Sequence, residues 1–369
     1  MNRRSFVSVL GGTAFLLAGC LETRKTRSGR SVVPQNRPNA VYVPTHVDGM
    51  VKAASKEYSG YRVRLFYTLP HVFWTVTGGR TNRVEPEDDD TVHFMAVVTD
   101  ADTGTVMPSA NVSAALRKDG ELVADRELWP MVSERMGFHY GDNIPLSGSG
   151  SYEVNVEVTP PTSELQGGLA DRFGEVSEGS LTFSFSEQKL GNLKLKKFDK
   201  AGDIGAVDPM KGASGEAVEN SRLEEVTGVD SIIGSETSGD AEFTVFTGSA
   251  FPETGNTTVV SGRNSGGDGN SDRYKRDLIY LGVIPTTPYN RFVLSRMSLS
   301  VSYRDGDGNQ TEINLEPKLN PGTGYHYGAS VPNGVDRYEV SVRTPPQLAR
   351  HQGYEKAFLE FDTMEFIDS

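Results

Sequence analysis

The chain has 369 residues, of which 36% are hydrophobic and 23% are charged, and its 49 acidic residues outnumber 37 basic ones. The formal net charge of −12 argues against a nucleic-acid-binding protein, because such proteins present a basic surface to the phosphate backbone. A dispersed acidic surface is instead what we expect of an exported protein from a salt-adapted organism.

The first twenty residues predict an export signal. Arg3 and Arg4 precede an apolar run, Phe6–Ala18, that ends in the sequence LAGC. Paired arginines indicate the twin-arginine route, and the run is shorter than the about 20 residues that a membrane-spanning helix needs. LAGC resembles a lipobox, so we predict that residues 1–20 are a lipoprotein signal, that Cys20 is lipidated, and that the protein is anchored at the extracytoplasmic face of the cell membrane.

The rest of the chain is dominated by short segments that favour strands. They are rich in β-branched and aromatic residues, alternate in part between apolar and polar residues, and are bounded by turn residues. In chain order they are VHFMAVV, ANVSAALR, YEVNVEV, LTFSFS, FTVFT, RDLIYLGVI, SLSVSYR, YEVSVRT and AFLEF. No long segment has the 3.6-residue period of an amphipathic helix. The pattern predicts an all-β protein made of two immunoglobulin-like antiparallel β-sandwich domains in tandem.

The two groups of predicted strands are similar in sequence. An offset of 187 residues places Leu128–Gly141 on Leu315–Gly328, and both segments end in G-[FY]-H-Y-G. Such self-similarity indicates a duplicated unit. We predict a flexible tether at 21–37, a first β-sandwich domain at 38–186, a linker at 187–228, and a second β-sandwich domain, a degenerate repeat, at 229–369.

Histidines and methionines gather in the first unit. His93 and Met95 are two residues apart on a predicted strand, so their side chains point to the same face. Imidazole and thioether ligands suit copper, above all Cu(I), and can hold ferrous iron. We predict a copper or iron site in the first domain whose ligands are His71, His93, Met95, Met131 and His139. The alternative is that these side chains only pack in the core.

The second unit carries other residue types at the matching positions. In place of His93, Met95 and Met131 it has Tyr280, Gly282 and Lys318. Joint replacement is what a single set of ligands predicts, because independent core residues would more often be exchanged for other apolar ones. His139 alone keeps its counterpart, His326, which leaves open a structural role for this histidine in both units.

The segment LWPMVSERMGFHYGDN, followed by GSYEVNVEVTPP, resembles the periplasmic iron/copper-binding proteins that accompany high-affinity ferrous-iron permeases. The resemblance covers residues 90–161, with a fainter copy at 279–351. It implies an immunoglobulin-like sandwich, usually dimeric, with the metal near the interface and a permease as partner. Met131 and His139 match the family's P-M-…-G-P-H-Y-G-x-N segment, and His93 matches the histidine of its upstream V-H-x-E strand.

The chain departs from the family pattern in three ways. Met95 stands where the family has Glu, which makes the site softer, and the spacing from Met131 to His139 is eight residues, one more than expected. The family's Arg-His after a Pro-Pro pair is absent from the first unit, whereas the second unit has Arg350 and His351. The missing ligand is then His71, in a PHVFW string similar to that of exported haloarchaeal domains, or His351, which would cross over if the two domains pack as a pseudo-dimer.

These observations favour a lipid-anchored extracytoplasmic protein that captures or delivers copper or ferrous iron, with the membrane and a metal permease as expected partners. The alternative is a cell-surface structural or interaction protein of tandem sandwich domains without metal. An enzyme is least favoured, because the chain has no G-x-S-x-G, H-E-x-x-H, P-loop or dinucleotide-binding glycine pattern. Its one cysteine, Cys20, is expected to carry lipid and so is no nucleophile.

Overall fold

The structure is a computed structural model, and it describes residues 33–211, 222, 226–248, 278–304 and 308–368. The predicted signal with Cys20 lies outside these residues. Within them, no helix has the length and apolar character that a membrane crossing requires. Strands dominate both halves of the chain, so the prediction of an all-β protein is confirmed, while the immunoglobulin-like subclass stays a prediction.

The first half of the chain, up to residue 211, contains thirteen described strands, one short α-helix and a 3-10 helix at Gly167–Leu169. They are β1 (His46–Asp48), β2 (Val51–Tyr58), β3 (Tyr61–Thr68), β4 (Phe73–Thr77), β5 (Arg80–Val84), β6 (Val92–Asp100), β7 (Val112–Lys118), β8 (Glu121–Ser133), β9 (Gly137–Ile144), β10 (Gly150–Val158), β11 (Glu164–Leu165), β12 (Ser177–Phe185), α1 (Glu187–Gly191) and β13 (Leu195–Lys197).

The second half of the chain continues with strands alone among the described residues. They are β14 (Ser231–Ser238), β15 (Ala241–Gly248), β16 (Leu278–Thr286), β17 (Ser298–Arg304), β18 (Gln310–Asn320), β19 (Gly324–Pro332), β20 (Arg337–Thr344), β21 (Ala349–Arg350) and β22 (Met364–Ile367).

Each half builds one large, mainly antiparallel sheet, and the two sheets share one strand order. The first runs β2-β3-β6-β9-β8-β7-β10-β12 and the second β14-β15-β16-β19-β18-β17-β20-β22. In each sheet the first and last strands of this path also approach each other, so that the sheet is nearly closed like a barrel. The shared order and the 187-residue offset put matching residues at matching places in the two halves.

Strand β6 separates two faces of the first sheet. All nine of its residues are buried, although successive side chains of a strand point to opposite faces. Phe94 and Ala96 lie in the main hydrophobic core. Met95 and Val97 belong to a separate cluster on the other face, and His93 shares that face by alternation. We call the face that carries His93, Met95 and Val97 the outer face.

The outer face is buried because other parts of the chain cover it. The segment 41–50 crosses it and is held by backbone hydrogen bonds to the segment 202–205. The amide N–H of Met210 donates to the carbonyl oxygen of Arg135 in the β8–β9 turn, at 3.0 Å. Residues 187–211, which lie in the predicted linker, thus pack against the first half, with α1 and β13 among them. The predicted domain limits themselves stay predictions.

The two halves exchange short strands reciprocally. β21 of the second half pairs in parallel with β8, where Ala349 lies opposite Met131. β11 of the first half pairs in parallel with β18, where Glu164 lies opposite Lys318. Because Met131 and Lys318 are matching residues, the two crossings are equivalent. Each half therefore supplies one short strand to the sheet of the other.

One predicted strand is wrong. The segment AFLEF, 357–361, is not a strand, and the last strand of the second sheet is β22 instead. The carbonyl oxygens of Ala357 and Phe358 accept hydrogen bonds from the buried guanidinium of Arg350, and Phe358 has a positive φ of 58°. These carbonyl groups are consequently unavailable to a sheet, whatever the β-propensity of the segment.

Candidate metal centre

Two paired strands each carry an imidazole on the outer face. β6 and β9 pair so that His93 lies opposite Asn143 and Met95 opposite Gly141. His139 is also on β9, at even spacing from Gly141 and Asn143, and so projects on the same side. His93 and His139 are both fully buried. Alternation places both imidazoles on one face, but His139 lies four residues along β9 from the residue opposite His93, so the pairing alone does not bring them into contact.

Two more imidazoles reach the same point from elsewhere. His71 lies in the connection between β3 and β4, and His351 directly follows β21. His71 Nε2 is 2.9 Å from His351 Nδ1, and His139 Nε2 is 3.2 Å from His351 Nε2. The ring centres of His71 and His93 are 4.2 Å apart. We call these four residues the histidine cluster.

The crossing of β21 determines the position of His351. Its amide N–H approaches the carbonyl oxygen of Val132 on β8, at 3.4 Å. The preceding residue, Arg350, is fully buried and donates hydrogen bonds to three carbonyl oxygens of its own half, those of Pro346, Ala357 and Phe358. The second half therefore holds this strand firmly while its next residue enters the site of the first half.

Three members of the cluster have a fixed tautomer. Each uses Nδ1 to contact an oxygen: His71 that of Leu69 at 3.0 Å, His93 the side-chain oxygen of Asn143 at 3.0 Å, and His139 that of Gly137 at 3.1 Å. Carbonyl oxygens only accept hydrogen bonds, so each Nδ1 carries the proton and each Nε2 keeps a lone pair. The side-chain nitrogen of Asn143 donates to the carbonyl oxygen of His71 at 3.0 Å, which turns the amide oxygen toward His93.

His351 cannot satisfy both of its neighbours. A neutral imidazole has one N–H, so His351 can donate to Nε2 of His71 or to Nε2 of His139 and not to both. Whichever it chooses, two lone pairs face each other across 2.9 or 3.2 Å. His93 adds a third lone pair, because its buried Nε2 has no hydrogen-bond partner among the described residues. A cation bound between these lone pairs would remove their mutual repulsion.

A proton is disfavoured as that cation. Burial lowers the pKa of His139 to about 4. Burial and the neighbouring imidazoles lower the pKa of His93 and His351 well below the usual value. The imidazoles of His93, His139 and His351 are therefore neutral near pH 7 and offer lone pairs. Ligand nitrogens about 2.0 Å from a four-coordinate ion lie about 3.3 Å apart. The two distances above involve different nitrogens of His351, of which one ion can bind only one. The ligand nitrogens of His71, His93 and His351 all lie within 4.8 Å of one another. The cluster can hold a metal ion.

A thioether lies at the same point. Met131, on β8, is directly opposite His139. The open side of Gly141 is bordered by both His93 Nε2 and Met131 Sδ, which would lie 3.0 and 3.3 Å from a Cβ at this glycine. Gly141 thus leaves a space between an imidazole nitrogen and a sulfur, two of the ligand types that copper accepts.

The structure brings four of the five predicted ligands near His351 or Gly141 and the fifth beside them. His71 and His93 lie with His351 within 4.8 Å, His139 contacts His351, and Met131 borders Gly141. Met95 packs with Phe66, Val97 and Met136 on the outer face and lines the cavity next to the cluster. The assignment of these five residues as ligands stays a prediction.

The matching place in the second half holds a different arrangement. The hydroxyl of Tyr280, at the position of His93, donates to Nε2 of His326 at 2.7 Å, and it fills the open side of Gly328. Lys318, at the position of Met131, forms an ion pair of 2.5 Å with Glu164 from the crossing strand β11. Every group that could have met an ion here has a protein partner instead.

Three residues of the site were missed or left undecided at the level of sequence. Asn143 orients His93 and the loop of His71, and Gly141 keeps the central space open. Both could have been found from the spacing of His139, Gly141 and Asn143, which puts all three on one face of a strand. His351 was an open alternative, and the structure places it at the centre of the cluster.

Comparison with known families matched two segments of the chain. Residues 86–178 match the family described as Fe2+ transport protein, and residues 225–367 match a domain of unknown function, DUF7350. No curated protein matched the chain. The first segment contains His93, Met95, Met131 and His139, whereas His351 lies in the second.

Solved structures of two proteins, FetP and P19, are similar to parts of the chain. FetP from uropathogenic Escherichia coli is 19% identical with a TM-score of 0.28, over 37% of this chain and 96% of FetP. A copper-bound variant of P19 from Campylobacter jejuni is 20% identical with a TM-score of 0.28, over 37% of this chain and 98% of P19. At these scores the structures support no conclusion about the site. The predicted resemblance is confirmed by the sequence match. The matched segment, which includes strands β6, β8 and β9, is similar to the Fe2+ transport protein family.

Proposed function

We propose that this protein binds copper or ferrous iron outside the cytoplasm and captures or delivers the ion through the histidine cluster. The single observation that carries the proposal is the set of converging lone pairs in a buried site. Three Nδ1–H groups are tied to oxygens, and the nitrogens that remain point at one another. An imidazole that only packs would instead have its second nitrogen satisfied, as His326 is by Tyr280.

The ligand chemistry supports a copper or iron ion over harder cations. Imidazole nitrogens together with the sulfur of Met131 form a soft-to-borderline set, which suits copper and can hold ferrous iron, whereas Mg²⁺ and Ca²⁺ prefer oxygen ligands. The match of residues 86–178 to the Fe2+ transport protein family agrees with this class of cargo. Among the described residues no carboxylate belongs to the group of potential ligands.

We also propose that the two halves act as a pseudo-dimer within one chain. The reciprocal crossings of β11 and β21 support this arrangement. It makes the site depend on both halves, because His351 comes from the second half and the other three imidazoles from the first. Metal binding should then stabilise the association of the halves, since a ligand that binds only the folded state raises its stability.

The cellular setting is a further part of the proposal. Arg3 and Arg4, the apolar run and LAGC support export by the twin-arginine route and lipidation of Cys20, and a metal permease in the same membrane is the partner we propose. Replacing Cys20 by alanine is expected to move the protein from the membrane fraction to the soluble fraction. Equal membrane retention of wild type and variant would contradict the anchor.

Metal titration of the full-length protein tests the proposed function. Cu(I), Cu(II) and Fe(II), the reduced ions under anaerobic conditions, are titrated against wild type and a His93→Ala, Met131→Ala double variant. We expect a tightly bound equivalent that the double variant lacks, because the variant loses one nitrogen and the sulfur of the same site. The bound ion should also raise the Tm of the wild type.

The matched control changes the equivalent positions of the second half. A Tyr280→Phe, Lys318→Ala double variant should keep the tightly bound equivalent. Tyr280 contacts His326 and Lys318 contacts Glu164, and neither belongs to the histidine cluster. A wild type that binds none of the three ions would overturn the proposed function and favour a structural or interaction protein of the cell surface.

A further inference from the structure

A second group of soft ligands lies beside the histidine cluster. Four of the nine methionines of the chain belong to one small hydrophobic cluster on the outer face. Buried Met95 and Met136 pack there with Phe66 and Val97, and partly buried Met50 and Met210 pack against them. We call Met50, Met95, Met136 and Met210 the methionine cluster.

The methionine cluster comes from four separate parts of the chain. Met95 is on β6, Met136 in the β8–β9 turn, Met50 between β1 and β2, and Met210 in the segment that covers the outer face. The backbone hydrogen bond from Met210 to Arg135 fixes that covering segment next to Met136. Four methionine side chains from four places therefore pack in one cluster through tertiary structure and not through one repetitive stretch of sequence.

A single cavity connects the two clusters. Its volume is about 110 Å³, and it is lined by Met50, Met95 and Met136 together with His71, His139 and His351. The cavity is partly open to solvent, and Met50 is the partly buried thioether among its lining methionines. His71 and His351 are likewise partly buried in this cavity, so an ion inside it lies next to thioethers and imidazoles alike.

The second half provides an internal test of whether packing requires these methionines. Its matching cluster contains Phe246, Tyr280 and Ile284, with Val226, Val229 and Val293 packed against them. Phe246 pairs with Gly282 as Phe66 pairs with Met95. The same place in the same fold is thus filled without any sulfur among the described residues, so packing alone does not account for four thioethers.

We propose that the methionine cluster is a second metal site that binds a monovalent soft ion, Cu(I), and feeds the histidine cluster. Thioether sulfur selects Cu(I) over harder ions. Because three or four thioethers are neutral ligands, the single positive charge of Cu(I) is the only charge that binding adds to this partly buried site. The inference rests on the proposed function of the histidine cluster and adds a second site, its ligand type and the oxidation state of its ion.

Titration of the full-length protein with Ag(I), a redox-inert probe for Cu(I), and with Cu(I) itself tests this inference. The variant is Met50→Leu, Met136→Leu, Met210→Leu, which removes three sulfurs and nearly conserves volume. We expect two equivalents of Ag(I) for wild type and one for this variant. A His93→Ala, His351→Ala variant should also bind one equivalent, and X-ray absorption should show that ion with sulfur neighbours only. Met107→Leu, in the main core, is the control and should bind two.

The outcomes separate this inference from the proposed function. One equivalent in wild type that is lost in the histidine variant would keep the histidine site and overturn the methionine site. Two equivalents that both survive the triple leucine substitution would also overturn it, because the second ion would then lie elsewhere. Absence of binding in wild type would overturn the proposed function as well.

Discussion

Replacement of His351 by alanine is expected to weaken metal binding by more than about 100-fold, although this residue lies in the second half of the chain. Loss of a residue that merely supports a ligand typically costs 10- to 100-fold in affinity, and His351 contacts both His71 and His139 at 2.9 and 3.2 Å. The measurement is the affinity of the full-length protein for Cu(I) and Fe(II) by competition with a chromophoric chelator.

The matched control for His351 is Gln166. This residue follows β11 as His351 follows β21, and its amide N–H donates to the carbonyl oxygen of Leu319 as that of His351 approaches Val132. Gln166→Ala should leave the affinity unchanged, because the second half has Tyr280 in place of His93. An unchanged affinity in His351→Ala would mean that the first half completes its site alone, with His71 as the remaining histidine.

Replacement of Gly141 by alanine is expected to lower metal affinity by at least about 10-fold while the protein still folds. The added methyl group would lie 3.0 Å from His93 Nε2 and 3.3 Å from Met131 Sδ, in the space where these two ligands meet. A misplaced ligand set loses affinity on the scale seen for disturbed supporting residues. Gly141 is not among the described glycines with a positive φ, so alanine fits its backbone conformation.

A glycine in open space serves as the control for Gly141. Gly79, in the β4–β5 turn, has no atom within 4 Å of the position that its Cβ would take. Gly79→Ala should therefore bind metal like wild type, and circular dichroism of both variants checks the fold. Full affinity in a folded Gly141→Ala variant would place the ion away from Met131 and His93, and the site would have to be reassigned to His71, His139 and His351.

Much of the fold could be predicted from local sequence. Short alternating segments bounded by turn residues predicted most of the strands that were named, because strand formation there depends on side-chain period and turn chemistry. AFLEF was the exception, since a distant guanidinium, that of Arg350, binds its carbonyl groups. Propensity carries no information about such a tertiary partner.

By itself the sequence determined that the protein is built of strands, that two segments 187 residues apart resemble each other, and that the first carries imidazole and thioether side chains on shared strand faces. Spacing along single strands is sufficient for this, because residues two apart must share a face. Only the tertiary structure showed that other parts of the chain cover the face with His93 and Met95, so that all nine residues of β6 are buried. It also decided that His351 enters the site of the first half: the entry depends on a two-residue parallel pairing of β21 with β8, and so short a contact between distant parts of a chain leaves no periodic pattern in either of them.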